Sequence, residues 1–245
     1  MLAPGRFALW LSRNHHTDKL GYTYNYHPRS DVHSKALAEF IWADLLAASH
    51  ELKEDYLAGR VAYEVNYKYA WPKSRKSKTI DLAIVRRRLL EKDLVLVSCE
   101  LKAVMTEHLK SEPRVFDELS SSHEIVHAGD PEALALGVTT VNIARTFVSP
   151  LRQKQSSPEP LEVTRHSQPR AAESMITHLR GLPQREGGSG VGFDAYCTFV
   201  VDCDNQGSAA LWTSPPAPQA GDPDHYGTFI ARVSQAYVTQ VRPRL

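Results

Sequence analysis

The chain contains 245 residues, of which 42% are hydrophobic, and 29 lysines and arginines offset 28 aspartates and glutamates to give a formal charge of +1. The length fits one large domain or one domain with an insert, and the hydrophobic content supports a sizeable core. A charge this close to zero does not by itself indicate a polyanionic partner, so any signal for nucleic-acid binding has to be local.

The cysteines and the apolar runs indicate the cellular compartment of the protein. Cys99, Cys197 and Cys203 are scattered and odd in number, which argues against a disulfide framework or a cysteine zinc site and is typical of a reducing cytoplasm. The apolar run near the first residue is too short for a signal peptide, and no run reaches the roughly 18 residues of a membrane-spanning helix. We therefore expect a soluble, cytoplasmic protein.

The first part of the chain predicts an arm followed by a helix. Histidines and tyrosines are mixed over residues 1–30 at spacings that match no metal-ligand pattern, so we expect an ordered arm packed on the domain, although such rings also stack on bases. Ser30 or Asp31 can cap the helix, in which apolar residues recur at helical spacing as far as Ala48. This helix is expected to be buried against a sheet.

Two strands are predicted next. The second of them, Thr79 to Val85, is apolar except for Asp81, its only acid. In the first, Val61 to Trp71, polar and apolar residues alternate, so one face is expected to carry Val61, Tyr63, Val65, Tyr67 and Tyr69.

The turn between these strands is strongly basic, and Arg86, Arg87 and Arg88 close the second strand. Basic residues at both ends of a strand that bears an acid suit a phosphate backbone running past that acid. A solvated hairpin loop is the alternative, because a run of charges is usually exposed. The residues predicted to contact nucleic acid are Lys73, Arg75, Lys76 and Lys78.

The stretch from Asp93 to Ala103 predicts a central strand that ends in two charges. Its run from Leu94 to Val97 is apolar, as in a strand buried on both faces, and Glu100 and Lys102 follow. Side chains alternate along a strand, so these two charges project from one face, roughly 6–7 Å apart. Opposite charges at the end of a buried strand cost desolvation free energy unless they have a use.

The rest of the chain predicts a mixed sheet with helices around it. A helix that follows His108 and runs through Arg114 to about Val126 joins the central strand to a buried strand at 133–144, which implies a parallel pair beside the antiparallel hairpin. Residues 150–170 form a predicted loop. A helix at 171–182, a strand at 195–202 and a last helix opening at Asp222 or Pro223 follow. The expected fold is α/β, with a central mixed sheet of about four or five strands flanked by helices and loop-rich C-terminal elaborations in a single domain.

An aspartate followed about twenty residues later by Glu-x-Lys on the next strand resembles the core of the PD-(D/E)xK nuclease superfamily. That superfamily includes most restriction endonucleases and several repair and recombination nucleases. The matching residues are Asp81, Glu100 and Lys102, and Ile80 stands where the motif has proline. The resemblance covers about residues 31–145, and residues 171–245 add nothing diagnostic.

The resemblance implies a metal-dependent DNA endonuclease of the restriction or defence type. Asp81 and Glu100 would bind Mg²⁺ or Mn²⁺, and Lys102 would act beside the attacking water. A helix before the core strands often supplies a further carboxylate in this superfamily, for which Glu39 is the first candidate and Asp44 the second. Cutting both strands of a duplex would need two such sites, so a homodimer is expected.

Other interpretations of these residues remain open. The Glu–Lys pair can be purely structural at the edge of a sheet. A repair or resolving nuclease of the same superfamily would carry the same motif. A non-catalytic nucleic-acid-binding module with a structural acid cluster belongs to a different class, and intact acids and lysine in register favour an enzyme over that module.

Overall fold

A computed structural model describes residues 1–17, 21–70, 77–88, 92–153, 162–185 and 187–245. The helices are α1 (Ala3–Arg13), α2 (Val32–Ala48), α3 (His50–Leu57), α4 (His108–Gly129), α5 (Arg170–Leu179) and α6 (Tyr226–Ala236). The strands are β1 (His16–Thr17), β2 (Thr23–Tyr24), β3 (Ala62–Ala70), β4 (Ser77–Arg86), β5 (Leu94–Val104), β6 (Leu134–Asn142), β7 (Thr146–Val148), β8 (Val163–Arg165), β9 (Ala195–Cys203) and β10 (Ala209–Trp212).

The described strands form one large mixed sheet, which confirms the α/β fold. Its order is β10-β9-β6-β5-β4-β3, and two small ribbons pair β1 with β2 and β7 with β8. Strands β3, β4 and β5 are antiparallel neighbours, whereas β6 runs parallel to both β5 and β9. The sheet has six strands rather than the expected four or five, because β9 and β10 extend it beyond β6.

Strand β6 forms the buried middle of this sheet, and all nine of its residues are buried. Gly137 in this strand is required by packing, since a Cβ there would lie 2.8 Å from the Tyr196 ring and 3.1 Å from Phe193. Any side chain at this position would force these rings, and with them β9, away from β6.

Helices cover both faces of the sheet. The larger cluster of buried apolar residues joins α1, α2 and α6 to one face, including Phe7, Ile41 and Phe229. On the other face α4 and α5 contribute Leu119 and Met175 to a second cluster. Burial on both faces explains why the central strands read as continuous apolar runs.

The first residues form a helix rather than an arm, which corrects the expectation for residues 1–30. Helix α1 buries Phe7 and Leu11 in the larger core cluster. Asp44 of α2 anchors it, accepting hydrogen bonds from the Ala3 backbone N–H at 2.6 Å and from Arg6 at 2.5 Å. Because the two residues of this hydrogen bond lie 41 positions apart in the sequence, no local pattern predicts it.

Strand β3 does not keep one face throughout, contrary to the predicted alternation. Tyr63 and Val65 pack against the larger core cluster, whereas Tyr67 and Tyr69 pack against a separate cluster on Ile80. Asn66 lies between these pairs with a φ of 54°, in the left-handed region. This local turn of the backbone exchanges the faces that the side chains occupy, a device more typical of a bulge than of a regular strand.

One short helix was not predicted, and other helices differ from expectation at their ends. The unpredicted helix is α3, which Ser49 caps by accepting the Leu52 N–H at 3.2 Å, and the same residue ends α2. The last helix begins at Tyr226 rather than at Asp222 or Pro223. His225 caps it, because its Nδ1 atom accepts a hydrogen bond from the Gly227 N–H at 3.1 Å. Among the described residues, none of the helices is both long and apolar enough to cross a lipid bilayer.

Candidate active site

The candidate site lies where β4 and β5 stop pairing. Their register runs from Arg86↔Leu94 to Leu82↔Cys99, so Asp81 and Glu100 are the next residues beyond the last paired position. Beyond that point β4 continues beside β3, and β5 continues beside β6. The two acids therefore stand at a fork in the sheet, where a space opens between its strands.

Glu100 is a buried carboxylate held from three sides, with only 5% of its surface exposed. Its Oε1 atom lies 2.9 Å from the Lys102 ammonium, and its Oε2 atom lies 3.2 Å from that of Lys78. Ser122 of α4 donates a further hydrogen bond to Oε2 at 3.1 Å. The two ammonium groups offset the charge that burial would otherwise make costly.

Lys102 projects from the same face as Glu100, as the strand spacing predicts, and reaches α4 as well. Its ammonium lies 3.2 Å from Glu118, which in turn lies 3.6 Å from Arg114. Burial on its own lowers the pKa of Lys102, but the charges and hydrogen bonds of Glu100 and Glu118 outweigh it, and the pKa is raised. Lys102 is therefore a permanent cation at physiological pH.

Asp81 is the acid whose protonation equilibrium is perturbed. Burial and the neighbouring charge of Glu100 raise its pKa to about 6, although the Leu101 N–H donates to its Oδ2 at 2.8 Å and Lys102 acts in the opposite direction. Two carboxylates in one poorly hydrated place disfavour each other's ionisation. Perturbed acids of this kind concentrate at functional sites.

All three motif residues open into one cleft of about 340 Å³. Its far wall comes from the segment before α2 and from α2 itself, and includes Tyr26, His33 and Ser34. Burial raises the pKa of Tyr26 to about 12 despite the opposing charges of Lys102 and Arg114, so its hydroxyl stays neutral. The cleft thus combines two acids and a cation with neutral polar groups opposite them.

The far wall is attached to the β9–β10 turn. Asn205, which is fully buried, accepts the Tyr26 N–H at 2.6 Å and donates to the Tyr26 carbonyl at 2.9 Å. The Tyr26 ring packs on His33 with 4.5 Å between ring centres. Sequence reasoning did not assign Tyr26 or His33 to the site, because an attachment 179 residues away leaves no local signal.

The structure does not bring the predicted helical acids into the cleft. Glu39 is exposed and does not line it, and its charge adds to burial in raising the pKa of Tyr63 on β3. Asp44 instead binds α1 and accepts a hydrogen bond from the Tyr226 hydroxyl at 2.9 Å. From α2 the cleft receives His33, Ser34 and Leu37.

The predicted basic cluster is only partly visible. Lys73, Arg75 and Lys76 lie outside the described residues, and their contact with nucleic acid stays a prediction. Lys78 is described, and its ammonium contacts Glu100. Its position belongs to the acid cluster and not to a fully solvated turn, since only 17% of its side chain is exposed.

The donor set fits a hard divalent cation. Asp81 and Glu100 supply carboxylate oxygens at one cleft, and Mg²⁺ usually takes one or two carboxylates and keeps several waters. Within the described ranges no three His, Cys, Asp or Glu side chains gather as a ligand set, so a closed protein cage for a metal is not formed there. The raised pKa of Asp81 indicates a place where positive charge would stabilise the ionised pair.

A larger cavity of about 410 Å³ lies at the other edge of the sheet, beside β10. Its lining is mainly apolar, with Leu2, Phe199 and Trp212 among its residues, and none of the three motif residues reaches it. All three motif residues line the smaller, acidic cleft instead.

Comparison with protein-family models, with curated protein sequences and with solved structures found no significant match to this chain.

Proposed function

We propose that this protein is a metal-dependent deoxyribonuclease of the PD-(D/E)xK type, which hydrolyses phosphodiester bonds in a restriction or defence role. The observation that carries the proposal is the meeting of Asp81, Glu100 and Lys102 in one cleft at the fork between β4 and β5. Two acids and a lysine at this spacing provide a metal position and a fixed positive charge for a phosphate.

Asp81 and Glu100 would hold Mg²⁺, with Mn²⁺ as a substitute. When bound, such a metal polarises the phosphate and lowers the pKa of water, and so supplies the nucleophile at neutral pH. The contribution of the chain is to hold both carboxylates at the cleft, Asp81 through the Leu101 N–H and Glu100 through Ser122. Preorganised groups of this kind lower the reorganisation needed during the reaction.

Lys102 acts in this scheme as a cation and not as a base. Its raised pKa keeps the ammonium protonated, so it cannot accept a proton from water near pH 7. It can donate hydrogen bonds to the attacking water and to the charge that develops on the phosphate. Glu118 also contacts the ammonium, at 3.2 Å, and acts as a positioning residue.

A cleavage assay tests this proposal. Plasmid, linear, single-stranded, branched and base-modified DNA are incubated with the full chain and Mg²⁺ or Mn²⁺, together with Asp81→Asn, Glu100→Gln and Lys102→Met. We expect metal-dependent cleavage that each substitution lowers by at least about a hundredfold, in the range of single catalytic groups. Glu39→Gln is the matched control and should keep its activity, because Glu39 lies outside the cleft. Cleavage that survives Asp81→Asn would refute the assignment.

The same panel separates a restriction enzyme from a repair or resolving nuclease. Preferential cleavage of branched over linear DNA would place the protein in the latter group.

One observation favours a different class, a non-catalytic nucleic-acid-binding module. Both oxygens of Glu100 already have partners, namely Lys78, Lys102 and Ser122, as in a purely structural ion-pair network. Such a module would bind DNA equally well with and without divalent metal and would cleave none of the substrates. Filter binding in EDTA, run beside the cleavage panel, distinguishes the two classes.

A further inference from the structure

Resting on the proposed function, we propose that Lys78 competes with the divalent metal for Glu100. Its ammonium contacts the Oε2 atom of Glu100 at 3.2 Å. Both oxygens of Glu100 contact an ammonium group, so binding of a divalent cation by this carboxylate would require one ammonium to withdraw, and that ammonium is the one of Lys78. Lys78 is then free to face the phosphate backbone of the substrate.

The position of Lys78 makes this exchange possible. It is the second residue of β4, and it lies three residues before Asp81 on the same strand. Among the described residues the structure gives it one ion pair, to Glu100. A lysine near the end of its strand, with a long side chain, can move its ammonium several ångströms without disturbing the sheet.

Lys102 is held differently, which is why the exchange is assigned to Lys78. Its ammonium contacts Glu100 at 2.9 Å and Glu118 at 3.2 Å, so two carboxylates anchor it. Releasing Lys102 from Glu100 would still leave it beside Glu118 on α4. Lys102 therefore stays in the site, whereas Lys78 makes no ion pair with a second carboxylate among the described residues.

The charges of the site point the same way. Asp81, Glu100 and Glu118 carry three negative charges when ionised, and Lys78, Lys102 and Arg114 offset them. A divalent ion added to this balanced set would leave a net excess of positive charge in a poorly hydrated cleft. Movement of Lys78 out of the set removes part of that excess, and like charges at such short range repel strongly.

Direct metal binding tests the exchange without reference to catalysis. Free Mn²⁺ is measured by electron paramagnetic resonance during titration of the full chain, without DNA, for the wild type, Lys78→Met, Lys78→Arg and Lys68→Met. Lys68 is the matched control, because it is an exposed lysine on the neighbouring strand, paired with Thr79. Circular dichroism and thermal melting establish that each variant is folded.

We expect Lys78→Met to bind Mn²⁺ roughly tenfold more tightly than the wild type, since one competing charge is lost. Lys78→Arg keeps the charge and should stay near the wild type, as should Lys68→Met. Equal or weaker Mn²⁺ binding by Lys78→Met would overturn the exchange while leaving the proposed nuclease intact if cleavage persists. Absence of Mn²⁺ binding in every variant would overturn both the exchange and the metal-dependent function.

Discussion

The hydroxyl of Ser122 donates a hydrogen bond to the Oε2 atom of Glu100 at 3.1 Å, and both side chains are buried. Ser122 belongs to α4 and Glu100 to β5, so this bond joins the helix covering the sheet to the strand that carries the motif. Helix α4 thereby orients the carboxylate of Glu100.

Ser122→Ala should lower activity by about tenfold and stability by about 1 kcal/mol, because a hydrogen bond to a buried charge is lost. Cleavage rates and urea denaturation measure the two effects. Ser121→Ala is the control, since Ser121 is exposed on the same helix and donates only to the Glu118 carbonyl. Equal loss of activity in both variants would show that the effect comes from the helix and not from Glu100.

Asp81→Asn should stabilise the metal-free protein at neutral pH. The pKa of Asp81 is raised from 3.8 to about 6, so the folded state binds its proton more tightly than the unfolded state does. Its contribution to stability is full below pH 3.8 and is lost as the pH rises through 6, which costs on the order of 3 kcal/mol at pH 7. Asparagine keeps an oxygen for the Leu101 N–H and removes this cost.

Urea denaturation at pH 7 in EDTA measures the change for Asp81→Asn, with the exposed Asp117→Asn as control. Saturating Mg²⁺ should stabilise the wild type and have little effect on Asp81→Asn. A loss of stability on replacing Asp81 would contradict the account of its environment.

Acid should destabilise the fold through two buried histidines. Burial lowers the pKa of His108 and of His127 from 6.5 to about 4. The unfolded chain therefore binds more protons than the folded protein between these values, and the free energy of unfolding should fall as the pH drops from about 6.5 towards 4. Replacing His127 by glutamine removes one of the two titrations and should flatten this part of the curve.

The relevant measurement is urea denaturation at half-unit pH steps, with His50→Gln as the exposed control. Asp81 acts in the opposite direction below pH 6, so the test is the difference between the wild type and His127→Gln. The same pH dependence in both proteins would contradict the depressed pKa of His127.

Asn205→Ala should loosen the wall of the cleft that carries Tyr26. It removes two hydrogen bonds to the Tyr26 backbone and one to the Val148 carbonyl at 2.8 Å, and leaves alanine at a φ of 72°. Lost buried hydrogen bonds and left-handed strain together should cost about 3 kcal/mol. Denaturation measures the loss, and the neighbouring exposed Gln206→Ala should show little of it.

The proposed nuclease function predicts that a pair of chains acts together on a duplex. Each chain offers one cleft with Asp81, Glu100 and Lys102, and a single nuclease site would cut one strand at a time. Sedimentation of the free protein and of its DNA complex should give a two-fold assembly in at least the complex. A monomer in both states that still cuts both strands together would contradict this prediction.

Several features of the fold and of the site could be predicted from the sequence. Continuous apolar runs predicted β4 and β5, and the alternation of side chains along a strand placed Glu100 and Lys102 on one face of β5. The helical spacing in α2 and the apolar run of β6 were sufficient for those elements as well. These inferences succeeded because strand and helix periodicity is local and follows from backbone geometry alone.

The helical acids show where local periodicity stops being sufficient. Glu39 follows Leu37 by two residues, which is roughly 200° around a helix, so when Leu37 faces the cleft Glu39 points away from it. Which side of α2 meets the sheet depends on packing with α1 and α6, and those contacts are distant in sequence.

By itself, the sequence determined the α/β class and the pairing of the acids with Lys102, since both follow from residue spacing within and between neighbouring strands. Only the tertiary structure decided that β9 and β10 extend the sheet, that Asn205 holds Tyr26 over the cleft and that Lys78 contacts Glu100. The physical reason is that each of these contacts depends on burial and charge balance between segments far apart in the chain, and such balance is set when the core assembles.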